Sequence, residues 1–378
     1  MDKKVLKKRI IAIISMVIIV IAFIFVSQKF YLRRMDNGMI RMEGFYLEDK
    51  DSLDVVFMGA SEVYQAYSAA DAYRLYGFTS YPYAFVTNPV TLWKYELEEI
   101  MKRQSPKLIV VELNGSVYDE NHLYKEMATR YLTDTMPMSR NKINLVRDMG
   151  TEDELSYYLP FAKYHGEVQI KDFVTPLKLY MRGHNILRGT FAHTWDEDVK
   201  EELDLSKGVE PLDLHPDAEE KIREFLEICK TYEDTDFLFV RVPHLTVDDG
   251  TLKRYRRYVR SGQIVEEYGF EYIDLDVYRD EMCLDVSTDF YNGEHLNANG
   301  MKKFTEFFGG LIKDKYNLAP TELSPKQKEE WDESARYVEK FYECYQEVKA
   351  QELGEVNLWD NEFTFKKIRE KLKRQGGE

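Results

Sequence analysis

The sequence offers a serine and a histidine that are suited to nucleophilic chemistry. Ser61 follows Gly59 and Ala60 at the end of an apolar run, so we expect it at a sharp turn where a helix begins and backbone N–H groups can stabilise an oxyanion. His295 precedes an amphipathic helical pattern, and an imidazole can take the serine proton near neutral pH. Either residue alone has an ordinary structural explanation. Together they predict a nucleophile and its general base.

The elements around these residues follow the pattern of a parallel sheet. Short apolar runs that end in turn residues alternate with helical patterns, which is typical of βαβ units. In open sheets of this kind, ligands bind beyond the carboxyl ends of the strands, where Ser61 is expected. The predicted strands are residues 54–59, 80–86, 107–113, 237–242 and 272–275, and the predicted helices are residues 69–76, 90–103, 251–268 and 299–316.

One large domain with an insertion accounts for most of the chain. We assign it to residues 51–320, and the insertion to about residues 118–217, which are rich in aromatic side chains and are predicted to cap the carboxyl edge of the sheet. Residues 321–378 are predicted as a C-terminal helical extension whose apolar stripe packs against the domain. The insertion contains five of the seven histidines, which are His122, His165, His184, His193 and His215.

The N-terminus reads as a membrane anchor. Residues 10–27 are almost entirely apolar and follow a basic tail, residues 1–9, which predicts a cytoplasmic N-terminus and an extracytoplasmic main domain. Residues 28–50 are predicted as a linker. A cleaved signal peptide is the alternative, but no small-residue cleavage site follows the apolar run. The sequence therefore favours a single-pass protein of the cell membrane.

The net charge and the cysteine spacing argue against nucleic-acid binding and against a metal site. Residues 35–378 contain 44 basic and 66 acidic residues, a formal charge of about −22. Such a domain is a poor candidate for binding nucleic acid, which requires clustered Lys and Arg. The three cysteines are far apart and lack the spacing of metal ligands, so we expect neither a metal nor a cofactor.

The serine and histidine segments together resemble two blocks of the SGNH (GDSL-like) hydrolase superfamily. The matching pieces are Gly59-Ala60-Ser61 and Asn292-Gly293-Glu294-His295. The chain is more closely similar to single-pass bacterial members, namely the teichoic-acid D-alanylation protein D family and exopolysaccharide acyltransfer proteins. The likeness covers roughly residues 50–316 and implies a three-layer α/β/α fold of the flavodoxin-like type. The other similar stretches are residues 81–89, 106–115, 136–142, 159–165 and 241–243.

The chain departs from the superfamily pattern at three places. Asn292 stands where the histidine-orienting Asp is usual; an Asn accepts the imidazole N–H but supplies no charge, and in a serine protease that change costs on the order of 10⁴ in rate. Asp289 is the alternative orienting residue. Ala84 stands where a Gly donates its backbone N–H to the oxyanion. Asn114 or Glu112 takes the place of the third-block Asn, unless both merely end a strand.

The resemblance implies an acyl-ester hydrolase or O-acyltransferase acting on a cell-envelope glycan or a teichoic acid. Ser61 would attack the acyl ester, and the backbone N–H groups of Ser61 and Ala84 would hold the oxyanion. Family members often work beside a multi-pass membrane acyltransferase, which is the expected partner. The alternative is a protein that keeps the fold but only binds glycan or organises a complex. A purely structural envelope protein is a third alternative, which leaves the serine and histidine blocks unexplained.

Overall fold

The centre of the protein is a parallel β-sheet. The computed structural model describes residues 3–30, 37–164, 166, 174–193, 202–205 and 208–350. The sheet has the order β2-β1-β3-β4-β5, and every neighbouring pair of strands is parallel. The predicted α/β fold with a mainly parallel sheet is thus confirmed. The strands are β1 (Val55–Met58), β2 (Ser80–Pro82), β3 (Leu108–Glu112), β4 (Asp236–Arg241) and β5 (Glu271–Asp274).

Helices cover both faces of this sheet because its central strands are apolar on both sides. Successive side chains of a strand point to opposite faces. Val55 and Phe57 therefore pack with helices α3 (Ser61–Ala66), α4 (Ala69–Tyr76) and α14 (Ala298–Lys315). Val56 and Met58 pack on the other face, with helices α5 (Trp93–Arg103), α12 (Pro216–Cys229) and α13 (Asp249–Glu267). Burial on both faces is the usual reason for near-continuous apolar strands in a parallel sheet.

The insertion interrupts the sheet between β3 and β4, as predicted. Its described helices are mostly short. Helix α7 (Glu126–Thr133) packs beside α2 (Asn37–Phe45), and α8 (Arg140–Asp148) packs beside α5, rather than across the carboxyl edge. Several of its residues approach that edge: Tyr118 Oη accepts from Asn114 Nδ2 at 3.2 Å, and the rings of Phe191 and His193 contact Tyr64 and Tyr291. The helices are α6 (Glu120–Leu123), α7 (Glu126–Thr133), α8 (Arg140–Asp148), α9 (Glu154–Tyr158), α10 (Pro160–Tyr164) and α11 (Val174–Arg182).

Part of the segment predicted as a linker belongs to the core. Helix α2 (Asn37–Phe45) buries Met39, Met42 and Phe45, and the Phe45 ring stacks on Tyr83 with 4.2 Å between ring centroids. These apolar side chains leave water only by packing on the sheet. Residues 37–46 are therefore part of the folded domain. The linker residues 31–36 lie outside the described residues.

A C-terminal helix closes the domain. Helix α15 (Pro325–Ala350) buries the predicted apolar stripe and packs on α4. Arg188 of the insertion donates to both carboxylate oxygens of Glu48, at 2.8 and 2.7 Å, and its guanidinium lies 4.3 Å from the ring centroid of Trp331 in α15. We call Glu48, Arg188 and Trp331 the ion-pair clip, because they join three segments distant in sequence. Residues 351–378 of the predicted extension lie outside the description.

The apolar N-terminal segment lies within α1 (Lys3–Phe30), whose side chains are described as far as Phe23. In the described part of the chain, no helix has both the length and the apolar character needed to cross a membrane. The transmembrane helix predicted for residues 10–27 is therefore not supported.

Candidate active site

Ser61 lies where the sequence predicted it, at the turn between β1 and α3. Gly59 has a φ of +150°. A Cβ atom there would lie 2.6 Å from Val63 Cγ2 and 2.8 Å from Glu112 Cβ, so only glycine fits without a shift of its neighbours. The sharp turn makes Ser61 the first residue of α3, with its side chain partly exposed at the carboxyl edge of the sheet.

His295 reaches this serine from the other end of the domain. Its Nε2 atom lies 2.9 Å from Ser61 Oγ, and its Nδ1 atom lies 2.9 Å from Asn292 Oδ1. Both residues belong to a small antiparallel pair, β6 (Phe290–Asn292) and β7 (His295–Leu296), in which Asn292 and His295 are register partners. The local turn thus places the amide beside the imidazole.

The hydrogen bonds around Asn292 fix the tautomer of the histidine. The backbone N–H of Glu294 donates to Asn292 Oδ1 at 2.9 Å, which orients that amide oxygen toward the ring. Because the oxygen can only accept, His295 Nδ1 carries the hydrogen and Nε2 is left to accept from the Ser61 hydroxyl. Burial lowers the pKa of His295, and the charge of Glu62 partly opposes this effect. The imidazole is therefore neutral near pH 7 and able to act as a base.

A buried carboxylate lies directly beneath the nucleophile. Glu62 is 2% exposed, and its Oε2 atom lies 3.4 Å from Ser61 Oγ. Its Oε1 atom accepts from Asn114 Nδ2 and lies 3.6 Å from Nε2 of His244. Burial opposes the ionisation of Glu62, but His244 and His295 outweigh it and lower the pKa of Glu62 to about 2. This carboxylate is therefore charged under ordinary conditions.

A second buried carboxyl group stands next to the first and has the opposite tendency. Glu112, the last residue of β3, accepts from the hydroxyl of Tyr258 at 3.0 Å and from the backbone N–H of Asn114 at 2.9 Å. Burial and the negative charge of Glu62 raise its pKa well above the usual value. Two neighbouring carboxyl groups cannot both ionise easily in a dry site, so the negative charge resides on Glu62.

The sheet order explains why these residues meet. Glu62 follows β1, Asn114 follows β3 and His244 follows β4, and these three strands are consecutive in the sheet. Their side chains therefore lie side by side along the carboxyl edge, as the rule for open sheets requires. Asn114 belongs to this layer beneath Ser61, where it also donates to Tyr118 Oη at 3.2 Å. Ala84 is buried two residues beyond β2 at the same edge.

The structure separates the two candidates for orienting the histidine. Asn292 contacts the imidazole, whereas Asp289 is directed elsewhere. The Asp289 carboxylate accepts from Lys303 Nζ at 2.7 Å, from Asn299 Nδ2 at 2.6 Å and from the backbone N–H of Asp285 at 2.7 Å. The alternative assignment of Asp289 as the orienting residue is thus wrong. Its function is to fix the loop before β6 to the start of α14.

Sequence reasoning missed the pairing of Glu62 with His244. His244 is not among the predicted site residues, yet it is 5% exposed, and its Nδ1 atom lies 3.0 Å from the carbonyl oxygen of Val242. A usable signal existed, because both residues follow predicted strands.

The aromatic wall of the site was missed as well: the rings of His193 and Tyr291 stack with 3.6 Å between centroids, and burial lowers the pKa of His193 to about 3. His165 lies outside the described residues.

Taken together, these contacts place a serine hydroxyl, a neutral imidazole and an orienting amide side by side at the mouth of a parallel sheet. Such a set can transfer an acyl group through a covalent serine ester. Within the described ranges, no three His, Cys, Asp or Glu side chains are grouped so that they could hold a metal ion. The chain matches no protein-family model and no curated protein sequence.

Proposed function

We propose that this protein is a serine acyl-ester hydrolase or O-acyltransferase of the SGNH type. The observation that carries the proposal is the 2.9 Å hydrogen bond from Ser61 Oγ to His295 Nε2, between residues far apart in the chain. The strand order 2-1-3-4-5 is that of flavodoxin-like sheets, in keeping with the expected SGNH fold. The hydrogen bond between Asn292 and His295 supplies the third member of the set.

The reaction proceeds in two balanced steps. Ser61 Oγ attacks the acyl carbon while its proton passes to His295 Nε2, and the tetrahedral oxyanion is held by the backbone N–H groups of Ser61 and Ala84. His295 then gives that proton to the leaving alcohol as the ester bond to it breaks. In the second step, His295 takes a proton from water or from a sugar hydroxyl as that oxygen attacks the acyl-enzyme, and it returns the proton to Ser61 Oγ as the bond between the serine and the acyl group breaks. Water gives an esterase and a sugar hydroxyl gives a transferase.

The substrate and location rest on the sequence resemblance alone. On that basis the acyl acceptor or donor is a cell-envelope glycan or a teichoic acid, the main domain lies outside the cytoplasm, and the partner is a multi-pass membrane acyltransferase. The formal charge of about −22 on residues 35–378 is unfavourable for nucleic acid, and by the same argument it favours an uncharged glycan over the phosphate-rich teichoic acid.

One observation favours a second function. Asn292 brings no charge to His295, so the site lacks the carboxylate that usually stabilises the imidazolium. A protein that binds glycan or organises a complex without catalysis would tolerate this change. The two functions differ in whether Ser61 is chemically reactive.

The test is the reactivity of Ser61 in the full-length chain. We expect wild type to hydrolyse a chromogenic acetyl ester and to be labelled by a fluorophosphonate, and Ser61→Ala to lose activity by at least about 10³-fold. Ser287→Ala, at an exposed serine of the loop before β6, is the matched control and should behave as wild type. Labelling of wild type no greater than that of Ser61→Ala would refute the catalytic proposal.

A further inference from the structure

The site contains a charge that the mechanism above does not use. Glu62 Oε2 lies 3.4 Å from Ser61 Oγ, so the carboxylate touches the nucleophile from the side opposite to solvent. His295 Nε2 is nearer to the same hydroxyl, at 2.9 Å. A hydroxyl has one hydrogen, and the shorter contact assigns it to the imidazole. Glu62 is therefore a neighbour of the reacting pair and not its base.

The need for such a charge follows from Asn292. In an Asp-His-Ser set, the carboxylate holds the tautomer and also stabilises the imidazolium. Here the tautomer is already fixed, because Glu294 N–H pins the Asn292 oxygen that accepts from His295 Nδ1. Only the charge is missing at that position.

The contacts of Glu62 show that its charge is held in place. Asn114 donates to Oε1 from the end of β3, and His244 faces the same oxygen from the end of β4 at 3.6 Å. His244 is itself fixed through the 3.0 Å contact of its Nδ1 with the Val242 carbonyl oxygen. Neither Asn114 nor Val242 carries a charge, and Arg254, a permanent cation whose charge interacts with Glu62, is ion-paired with Glu294.

We propose that Glu62, held by Asn114 and facing His244, is the positioning residue that supplies to His295 the negative charge which Asn292 lacks. This inference rests on the proposed function. When Ser61 attacks, its proton moves to His295 Nε2 and the imidazolium forms beside the Glu62 carboxylate. When the proton passes to the leaving alcohol, His295 becomes neutral again. Glu62 remains ionised throughout, and no further proton donor or acceptor is needed.

Other charged and titratable groups also face His295, and the test must separate them from Glu62. Glu294 is ion-paired with Arg254 of α13, and its charge and that of Arg254 have opposite effects on the imidazole. The remaining groups are His244 after β4 and His193 from the insertion.

The first experiment measures kcat/KM against pH for full-length wild type and Glu62→Gln on an acetyl ester. Glutamine keeps an oxygen for Asn114 but removes the charge. We expect kcat/KM at its plateau to fall on the order of 10- to 10²-fold, the factor of a close charge interaction at a partly buried site. We also expect the acidic limb to move to lower pH, because the histidine loses a neighbouring anion. Glu294→Gln, the matched control, should shift the limb less.

A double variant distinguishes charge from structure. Adding Asn292→Asp to Glu62→Gln returns a carboxylate to His295 from its other nitrogen, so we expect recovery of most of the lost activity and return of the limb toward higher pH. A purely structural Glu62 predicts a different result: reduced activity with an unmoved limb and no rescue. That result would overturn the inference while leaving Ser61 as nucleophile.

An NMR titration of His295 in the full-length protein does not depend on turnover. We expect its pKa to be lower in Glu62→Gln than in wild type, with the resonance assigned by its loss in His295→Gln. If wild type shows no Ser61-dependent activity, the proposed function fails, and this titration alone decides about Glu62. An unchanged pKa of His295 in Glu62→Gln would overturn the inference.

Discussion

Two of the buried glutamates, Glu48 and Glu62, lie in different regions of the molecule and have different electrostatic surroundings. In the ion-pair clip, Glu48 is bound by both oxygens to a permanent cation, Arg188. At the sheet edge, Glu62 is held by an amide and faces a histidine. Burial raises the pKa of Glu48 even though Arg188 opposes the rise, whereas the neighbours of Glu62 lower its pKa to about 2. The first arrangement fixes segments together, and the second leaves a negative field directed at the reacting groups.

The largest effect is expected when the cation of the ion-pair clip, Arg188, is removed. Arg188→Ala leaves Glu48 buried without its partner, and we expect the free energy of unfolding to fall by about 3–5 kcal/mol. Denaturant titration measures this loss. Arg336→Ala removes an exposed arginine paired with Glu329 and should change stability by less than about 1 kcal/mol. Equal effects of the two variants would show that the clip does not join the segments energetically.

Glu62 and Glu48 are expected to change the pH dependence of folding stability in opposite directions. The folded-state pKa of Glu62 lies below the ordinary value of 4.5, so its contribution is complete above about pH 4.5 and is lost as the pH falls toward 2. The pKa of Glu48 is raised, so its contribution is present at low pH and is lost as the pH rises through that raised value.

We therefore expect Glu62→Gln to lose less stability than wild type between about pH 4.5 and pH 2, by on the order of 3 kcal/mol. Equilibrium unfolding at a series of pH values tests this difference. Glu48→Gln is the control, and its free energy of unfolding should fall with decreasing pH as steeply as that of wild type over this range. If the curves of wild type and Glu62→Gln run parallel over this range, Glu62 does not carry a depressed pKa.

The smallest effect is expected at Asp289, another buried carboxylate, which has a structural role like that of Glu48 in the ion-pair clip. Asp289→Asn weakens the contacts with Lys303 and Asn299, and we expect a loss of about 1–2 kcal/mol of stability. The pH profile of kcat/KM should keep its acidic limb. A shift of that limb would mean that Asp289 acts on His295 after all.

The sequence was sufficient to predict the sheet and the contact between Ser61 and His295. The apolar runs of β1, β3 and β4 are bounded by turn residues, so their positions could be found from pattern alone. Ser61 and His295 stand directly next to such boundaries. Asn292 is three residues before His295, and a separation that short is set by a local turn. These features are local in the chain, which is why they were visible.

The rest depended on contacts between distant segments. Glu62 and His244 each follow a predicted strand, but their approach depends on the order in which β1, β3 and β4 pair, which the sequence pattern does not give. Asp289 was the alternative to Asn292 for orienting the imidazole, and only its contacts with Lys303 and Asn299 show that it is directed elsewhere. Helix α2 was assigned to a linker because its apolar residues form too short a pattern to distinguish a core helix from a connection.

The separation of Ser61 and His295 by 234 positions also bears on how the candidate active site forms during folding. A contact across so long a loop forms only after the strands between have paired, since the entropy of closing the loop must first be offset. The rate at which fluorophosphonate reactivity returns after dilution from denaturant should therefore follow the latest phase of refolding, behind the recovery of helical circular dichroism. The contact between the Ser61 hydroxyl and the His295 imidazole therefore reports when the native state is complete.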